Sequence, residues 1–113
     1  MTNMEYIPYN SDMENLTIEF YKKENNDCPV QDFLDSLDFK MQAKMYRTIA
    51  LLKEHGTALR LPYSEFLADG IFELRAKQGS DITRILYFFV VGNRAVLTHG
   101  FVKKKPENAA GRN

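Results

Sequence analysis

Residues 71–105 read IFELRAK (71–77), ITRILYFFVV (82–91) and AVLTHGFVKKK (95–105), with the turn signals QGSD and GN between them. β-Branched and aromatic residues dominate the three runs, which is typical of strands. Connections this short join antiparallel strands, so the stretch predicts a meander with strands at 71–76, 83–91 and 95–101. The middle run is apolar on both faces, which favours a central position in the sheet.

The first half of the chain predicts one strand, two helices and a loop. Apolar and polar residues alternate over residues 16–22, as in a half-buried strand. Apolar residues then recur at helical spacing behind Pro29, and a second helix is expected from the N-cap Asp38 to about His55. Residues 57–70, TALRLPYSEFLADG, follow no period and are interpreted as an irregular loop long enough to bind a ligand.

This order of elements predicts an α+β fold. An N-terminal strand, a helical hairpin and a three-stranded antiparallel meander are expected to form one small sheet, covered on one face by the two helices. Residues 16–105 are expected to form a single domain, flanked by a flexible arm at 1–15 and a flexible tail at 106–113. The uncovered face of the sheet is then available for function.

Composition limits the class of protein. The 113 residues are 44% apolar, enough for one ordinary core. Cys28 is the only cysteine, so no intrachain disulfide forms, and no cysteine and histidine set has zinc-ligand spacing. No basic start leads into an apolar run, and no segment approaches the length of a membrane span. We therefore expect a cytoplasmic protein without a membrane, metal or cofactor requirement.

The formal net charge of zero hides an asymmetry along the chain. Residues 1–70 contain 7 Lys/Arg against 12 Asp/Glu, a balance of −5, whereas residues 71–113 contain 8 against 3, a balance of +5. Local potential governs the approach of a polyanion, so a neutral protein with one basic face can bind phosphate. The alternative is a solvated basic tail beside an acidic helical surface.

Two arginines in the predicted meander are candidates for a phosphate clamp. Arg75 alternates with apolar neighbours that are expected to face the core. Arg75 and Glu73 are therefore expected together on the uncovered face. Arg84 lies among apolar residues, where an unpaired guanidinium is costly, so it must find a carboxylate such as Glu73 or Asp81, or line a ligand site. The pairing of Arg75 or Arg84 with a carboxylate is equally compatible with a purely structural ion pair.

Two further side chains in the meander could transfer protons. Tyr87 lies three residues after Arg84 and therefore on the opposite face of a regular strand, where a core aromatic with a satisfied hydroxyl is the alternative. His99 shares its strand parity with Leu97 and Phe101, which favours a hydrogen-bonded core histidine over an acid or base.

A set of lysines completes the basic region. A lysine run is usually solvated, but beside two arginines it becomes a candidate phosphate track. The candidate RNA-binding lysines are Lys77, Lys103, Lys104 and Lys105.

The ordered set IFELRAK, ITRILYFF and VLTHGFVKKKP resembles the RelE/ParE superfamily of bacterial toxins, specifically its phage-derived, HigB-like branch. The resemblance is strongest over residues 71–105 and extends more loosely to Leu16. It implies a ribosome-dependent mRNA endonuclease, the toxin of a type II toxin–antitoxin pair, neutralised by a helix-turn-helix antitoxin.

The resemblance also implies a metal-independent reaction in which a ribose 2′-hydroxyl attacks the adjacent phosphate of mRNA. Arg75 and Arg84 would hold the phosphate, and Tyr87, His99 or a lysine of the 103–104 pair would transfer protons. A ParE-like gyrase inhibitor or an inactive phage-derived relative is the alternative. A small α+β domain whose basic edge recognises an acidic partner is a third possibility.

Overall fold

The computed structural model describes residues 16–104. Two helices and one turn of 3-10 helix (Gly56–Ala58) accompany a single five-stranded sheet. The helices are α1 (Pro29–Ser36) and α2 (Phe39–His55), and the strands are β1 (Thr17–Phe20), β2 (Ser64–Ala68), β3 (Ile71–Gln78), β4 (Asp81–Val90) and β5 (Arg94–Lys104). Among the described residues, no helix combines the length and apolarity that a membrane span requires.

The sheet is mixed, with the order β1-β5-β4-β3-β2. β1 pairs in parallel with β5, and the other neighbours are antiparallel. The expected three-stranded meander covered by a helical hairpin is therefore wrong, although the class remains α+β. The expected arm and tail lie outside the described residues.

The strand that sequence reasoning missed is β2, which lies inside the segment predicted to be a loop. Four of its five residues are exposed, so its sequence shows no alternation between a buried and a solvated face. Its conformation comes from antiparallel pairing with β3, in the register Ser64↔Leu74 to Phe66↔Phe72. Long-range pairing of this kind overrides a weak local pattern.

The start and end of α2 follow from local chemistry. Asp38 has extended backbone, and its side chain accepts a 2.8 Å hydrogen bond from the Met41 amide, which confirms the predicted N-cap. Gly56 follows the last helical residue with φ 56°, a conformation that glycine adopts without a steric penalty.

The two helices pack on one face of the sheet, α1 against β5 and α2 against β3. Phe33 of α1 lies directly over Gly100 of β5, where a side chain would collide with its ring. The fully buried aliphatic side chains come from both layers: Val30, Leu34, Leu52, Leu74, Ile85 and Leu97.

The opposite face of the sheet has no helix in contact with it among the described elements. Strand register assigns side chains to this open face, because cross-strand partners share a side. The open face includes Glu65 from β2, Glu73, Arg75 and Lys77 from β3, Ile82, Arg84 and Leu86 from β4, and His99, Phe101 and Lys103 from β5.

A β-bulge at Thr98 changes the side to which His99 belongs. Tyr87 pairs with Leu97 and Leu86 pairs with His99, so two steps along β5 match one step along β4. Leu97 is buried under the helices, whereas His99 is exposed on the open face. The expected core position of His99, inferred from its parity with Leu97, is therefore wrong.

Candidate functional site

Strand register places four of the predicted site residues close together on the open face. Arg75 of β3 lies directly opposite Arg84 of β4. Lys103 and His99 of β5 occupy the two positions diagonal to Arg84, because Arg84 pairs with Phe101. Directly opposite side chains lie about 5 Å apart at Cβ and diagonal ones about 7–8 Å apart. The patch thus places an imidazole and an ammonium group on either side of a pair of guanidinium groups.

Glu73 holds the two guanidinium groups together. Arg84 Nη1 donates to both Glu73 carboxylate oxygens, at 3.2 and 3.1 Å, and Arg75 Nε lies 3.5 Å from Glu73 Oε2. The side chain of Glu73 is 3% exposed because the arginines cover it. Arg75 Nη1 also contacts Glu65 Oε1 at 3.2 Å. This arrangement confirms Glu73 as the carboxylate partner of Arg84.

The guanidinium groups retain donors that no acceptor satisfies. A guanidinium has five N–H bonds, and within residues 16–104 each of these arginine side chains donates hydrogen bonds through Nη1 alone. The Nε atoms of Arg75 and Arg84 are buried without a hydrogen-bond partner among the described residues. A buried N–H without an acceptor costs about 1–3 kcal/mol, so both guanidinium groups keep unused capacity for an anionic acceptor.

His99 is exposed, and its Nδ1 lies 3.2 Å from Thr98 Oγ1. Its Nε2 atom forms no hydrogen bond or ion pair with the described residues. His99 also lines a groove of about 500 Å³. The other residues of this groove, none of them singled out in the sequence, are Tyr21, Lys23, Pro29, Phe88 and Thr98.

Tyr87 lies on the opposite side of the sheet from the arginines. It is 1% exposed, and its hydroxyl is hydrogen-bonded to the Ser64 hydroxyl. Burial raises the pKa of the Tyr87 phenol, and the Ser64 hydrogen bond and the charge of Arg60 offset this in part. The phenol therefore does not face the Arg75 and Arg84 guanidinium groups.

The candidate RNA-binding lysines lie at different positions in the protein. Lys77 and Lys103 are exposed on the open face and take part in no ion pair within residues 16–104. The backbone of Lys104 lies opposite Asp81 in the last pair of the β4–β5 ladder. Lys105 lies outside the described residues.

The groups on the open face are suited to binding an anion. Its cations surround a single buried carboxylate, and two exposed lysines add charge at its margin. Within the described part of the chain, no group of three or more His, Cys, Asp or Glu side chains has the geometry of a metal site.

Comparison with protein families gives one match that covers most of the chain. The family is described as "Phage derived protein Gp49-like (DUF891)", and the match runs over residues 32–111. These residues make up more than two thirds of the 113 and include the whole of α2 and all strands from β2 to β5. A comparison with curated proteins gives no match.

Proposed function

Because the chain belongs to the Gp49-like family of phage-derived, toxin-like proteins, which is related to RelE and HigB, we propose that it is the toxin of a type II toxin–antitoxin pair and cleaves mRNA on the ribosome. A toxin-like family implies an antitoxin partner. The observation that supports the nuclease assignment is the open face, where Arg75 and Arg84 lie opposite each other between His99 and Lys103.

The proposed reaction is an internal transesterification. The ribose 2′-oxygen forms a bond to the adjacent phosphorus while the bond from phosphorus to the 5′-oxygen breaks, which leaves a 2′,3′-cyclic phosphate and a 5′-hydroxyl. One proton leaves the 2′-hydroxyl and one proton reaches the 5′-oxygen. The phosphorane-like transition state gains negative charge, which cationic donors stabilise.

The basic side chains of the open face have distinct roles in this reaction. The unused donors of Arg75 and Arg84 hold the non-bridging phosphate oxygens, and Lys103 and Lys77 add positive charge at the margin. His99 transfers protons, because imidazole is the side chain that both accepts and donates a proton near neutral pH. Tyr87 packs in the core beneath β4 and is assigned no contact with RNA. Positioning of mRNA by the ribosome supplies the alignment of the 2′-hydroxyl.

The test is inducible expression in a bacterial host with mapping of mRNA 5′ ends. We compare the wild type with Arg84→Lys, which keeps a cation beside Glu73 but lacks the guanidinium fork. Arg94→Lys is the matched control, since Arg94 forms a similar ion pair with Glu19 at 2.9 Å at the far end of β5. New cleavage sites within translated frames should appear for the wild type and Arg94→Lys and be strongly reduced for Arg84→Lys.

A second comparison tests the role of His99. His99→Gln removes the imidazole at an exposed position, so the free energy of unfolding should change by less than about 0.5 kcal/mol. Cleavage should fall about 10²- to 10⁴-fold, the usual contribution of a general acid or base. Full cleavage by His99→Gln would remove histidine from the proton transfers.

Other outcomes of the expression test point to other functions. Growth arrest with intact mRNA and DNA damage would indicate a gyrase inhibitor instead of a nuclease. A folded protein with no effect on growth or mRNA would indicate an inactive, interaction-only domain.

We also propose that the antitoxin is a small helix-turn-helix protein encoded next to this chain. Co-expression of the neighbouring reading frame should abolish mRNA cleavage, and the two proteins should co-purify. Continued cleavage in its presence would contradict this assignment.

A further inference from the structure

We propose that a groove between α2 and the edge of β3 beyond its pairing with β2 binds two further phosphate groups of the same single-stranded RNA that the open face holds. This inference rests on the proposed function. The groove has a volume of about 210 Å³. Its lining, named here as the edge groove, consists of Lys44, Arg47, Thr48, Pro62, Tyr63, Arg75, Ala76 and Lys77.

The charge of the edge groove favours an anion. Four of the eight lining residues are cations and none is an aspartate or glutamate. Among the cations of the groove, Arg75 alone is paired with carboxylates of the described residues, at Glu65 and Glu73. Lys44, Arg47 and Lys77 are exposed and form no ion pair within the described part of the chain. A concave surface lined by unpaired cations concentrates polyanions.

The helical side of the groove carries charges that no neighbour in α2 neutralises. Lys40, Lys44 and Arg47 follow one another at spacings of four and three residues and so lie on one stripe of the helix. Like charges at this spacing repel one another and destabilise a helix. The single acidic residue of α2, Glu54, lies in the last turn beside His55. An RNA phosphate on the stripe would remove this repulsion.

The edge groove is continuous with the open face. Arg75 and Lys77 belong to both surfaces, and Lys44 Nζ donates a 2.9 Å hydrogen bond to the carbonyl oxygen of Lys77. Cations therefore follow one another from α2, around the edge of β3, to Arg84 and Lys103. An RNA chain that follows this path leaves the open face at Arg75 and turns toward α2.

The loop side of the groove offers a surface for a base or ribose. Tyr63 is 44% exposed, and its carbonyl oxygen accepts a 2.8 Å hydrogen bond from the Arg75 amide. This hydrogen bond holds the Tyr63 backbone beside the cations. Aromatic rings beside a basic track are the usual arrangement for single-stranded nucleic acid, since every base has a face that can stack. A ligand that combines phosphates with unpaired bases fits this lining better than an acidic peptide.

The test measures how binding of a non-cleavable RNA depends on salt. The probe is a fluorescent 12-nucleotide 2′-O-methyl RNA, which lacks the attacking hydroxyl. Each phosphate contact with single-stranded RNA contributes about 0.7 to the slope of log K against log salt concentration. Lys44→Gln/Arg47→Gln should therefore lower the magnitude of the slope by about 1.4. Arg47→Gln alone, which removes no hydrogen bond within the described residues, should lower it by about 0.7.

The matched control is Lys22→Gln/Lys53→Gln. It removes the same number of charges from exposed lysines near β1, which lies at the other edge of the sheet, where the Leu16 amide donates a hydrogen bond to the Lys53 carbonyl oxygen. The slope of the control should equal that of the wild type. An unchanged slope in folded Lys44→Gln/Arg47→Gln, or an equal loss in the control, would overturn the inference.

The two proposals fail in different ways. Absence of RNA cleavage by the wild type in the expression test, together with a normal edge-groove contribution to the slope, would refute the nuclease and leave the binding site. Intact cleavage with no edge-groove contribution would refute the binding site and leave the nuclease. Wild-type protein that binds no RNA even at low salt would refute the edge-groove inference outright.

Discussion

Glu73 contacts two arginines on the open face while only 2% of its own surface is exposed. A carboxylate in this position reduces the local charge of the pair but also fixes where the guanidinium groups lie. Fixed donors cost less to align with a phosphate than mobile ones. The sequence placed Glu73 beside Arg75 on the uncovered face and offered Glu73 and Asp81 as possible partners of Arg84. It did not indicate that one carboxylate would contact both arginines.

The first prediction compares Glu73 with Glu65, two carboxylates that contact Arg75. Glu73→Gln should lower the free energy of unfolding by about 3 kcal/mol, because it leaves two partly buried guanidinium groups without their shared anion. Glu65→Gln should change it by less than about 1 kcal/mol, because Glu65 is 45% exposed. Urea denaturation of the two variants gives the comparison. Equal changes in the free energy of unfolding would mean that Glu73 does not hold the two guanidinium groups in place.

The second prediction concerns the pH dependence of stability at Tyr87. Burial raises the pKa of its phenol in the folded state above the ordinary value of 10.0, so the folded protein holds this proton more tightly than the unfolded chain. The stabilisation is fully present below pH 10 and is lost as the pH rises through the folded-state pKa. Tyr87→Phe should remove this part of the decline in unfolding free energy above pH 10, measured by denaturant titration at several pH values.

The same residue gives a control at neutral pH. Tyr87→Phe leaves the buried Ser64 hydroxyl without a partner and should cost about 1 kcal/mol. The double change Tyr87→Phe/Ser64→Ala should cost less than the sum of the single changes, because no orphaned hydroxyl remains. Additive losses would show that the hydrogen bond contributes little.

At the scale of elements, sequence patterns predicted those helices and strands whose conformation depends on residues close together in the chain. The alternation in β1, the run that forms the central strand β4 and the cap at Asp38 all depend on residues close in the chain. β2 was missed because its exposed residues show no alternation and its partner β3 supplies the pairing. His99 was expected in the core because it lies two residues from Leu97 in a regular strand. No local signal in the sequence marks the bulge at Thr98, which changes the side on which His99 lies.

The third prediction tests how α1 lies on β5. A Cβ atom at Gly100 would collide with the Phe33 ring and lie 3.0 Å from the Arg84 carbonyl oxygen. Gly100→Ala should therefore lower the melting temperature, with a cost of about 1–3 kcal/mol from overpacking. Phe33→Leu in the same chain should recover part of that loss, because it removes the ring. A neutral Gly100→Ala would mean that α1 does not pack this closely.

At the scale of the whole molecule, charge is distributed by element more than by sequence half. α1 carries Asp32 and Asp35 on its exposed surface, whereas the stripe of α2 carries Lys40, Lys44 and Arg47. The expected acidic helical surface therefore describes α1 only. A net charge of zero is compatible with a strongly basic surface, because opposite charges lie on different faces.

The position of β5 has a consequence for the order of events during synthesis. β1 is the first described strand, yet its partner begins 77 residues later, as Thr17↔Arg94. β5 also separates β1 from β4, so the sheet cannot close until residues 94–104 exist. A chain that ends at residue 93 should be cleaved rapidly by protease and lack cooperative unfolding, and a protected fragment would contradict this.

A nascent chain thus carries an unfinished face until its final strand is made. In the proposed function, His99 and Lys103 are supplied by that strand and Arg84 by the strand beside it. The ribosome that makes the protein completes it before any nuclease activity can arise. Synthesis therefore includes an interval in which the product is harmless, and in which an antitoxin already present in the cell can wait for the finished surface.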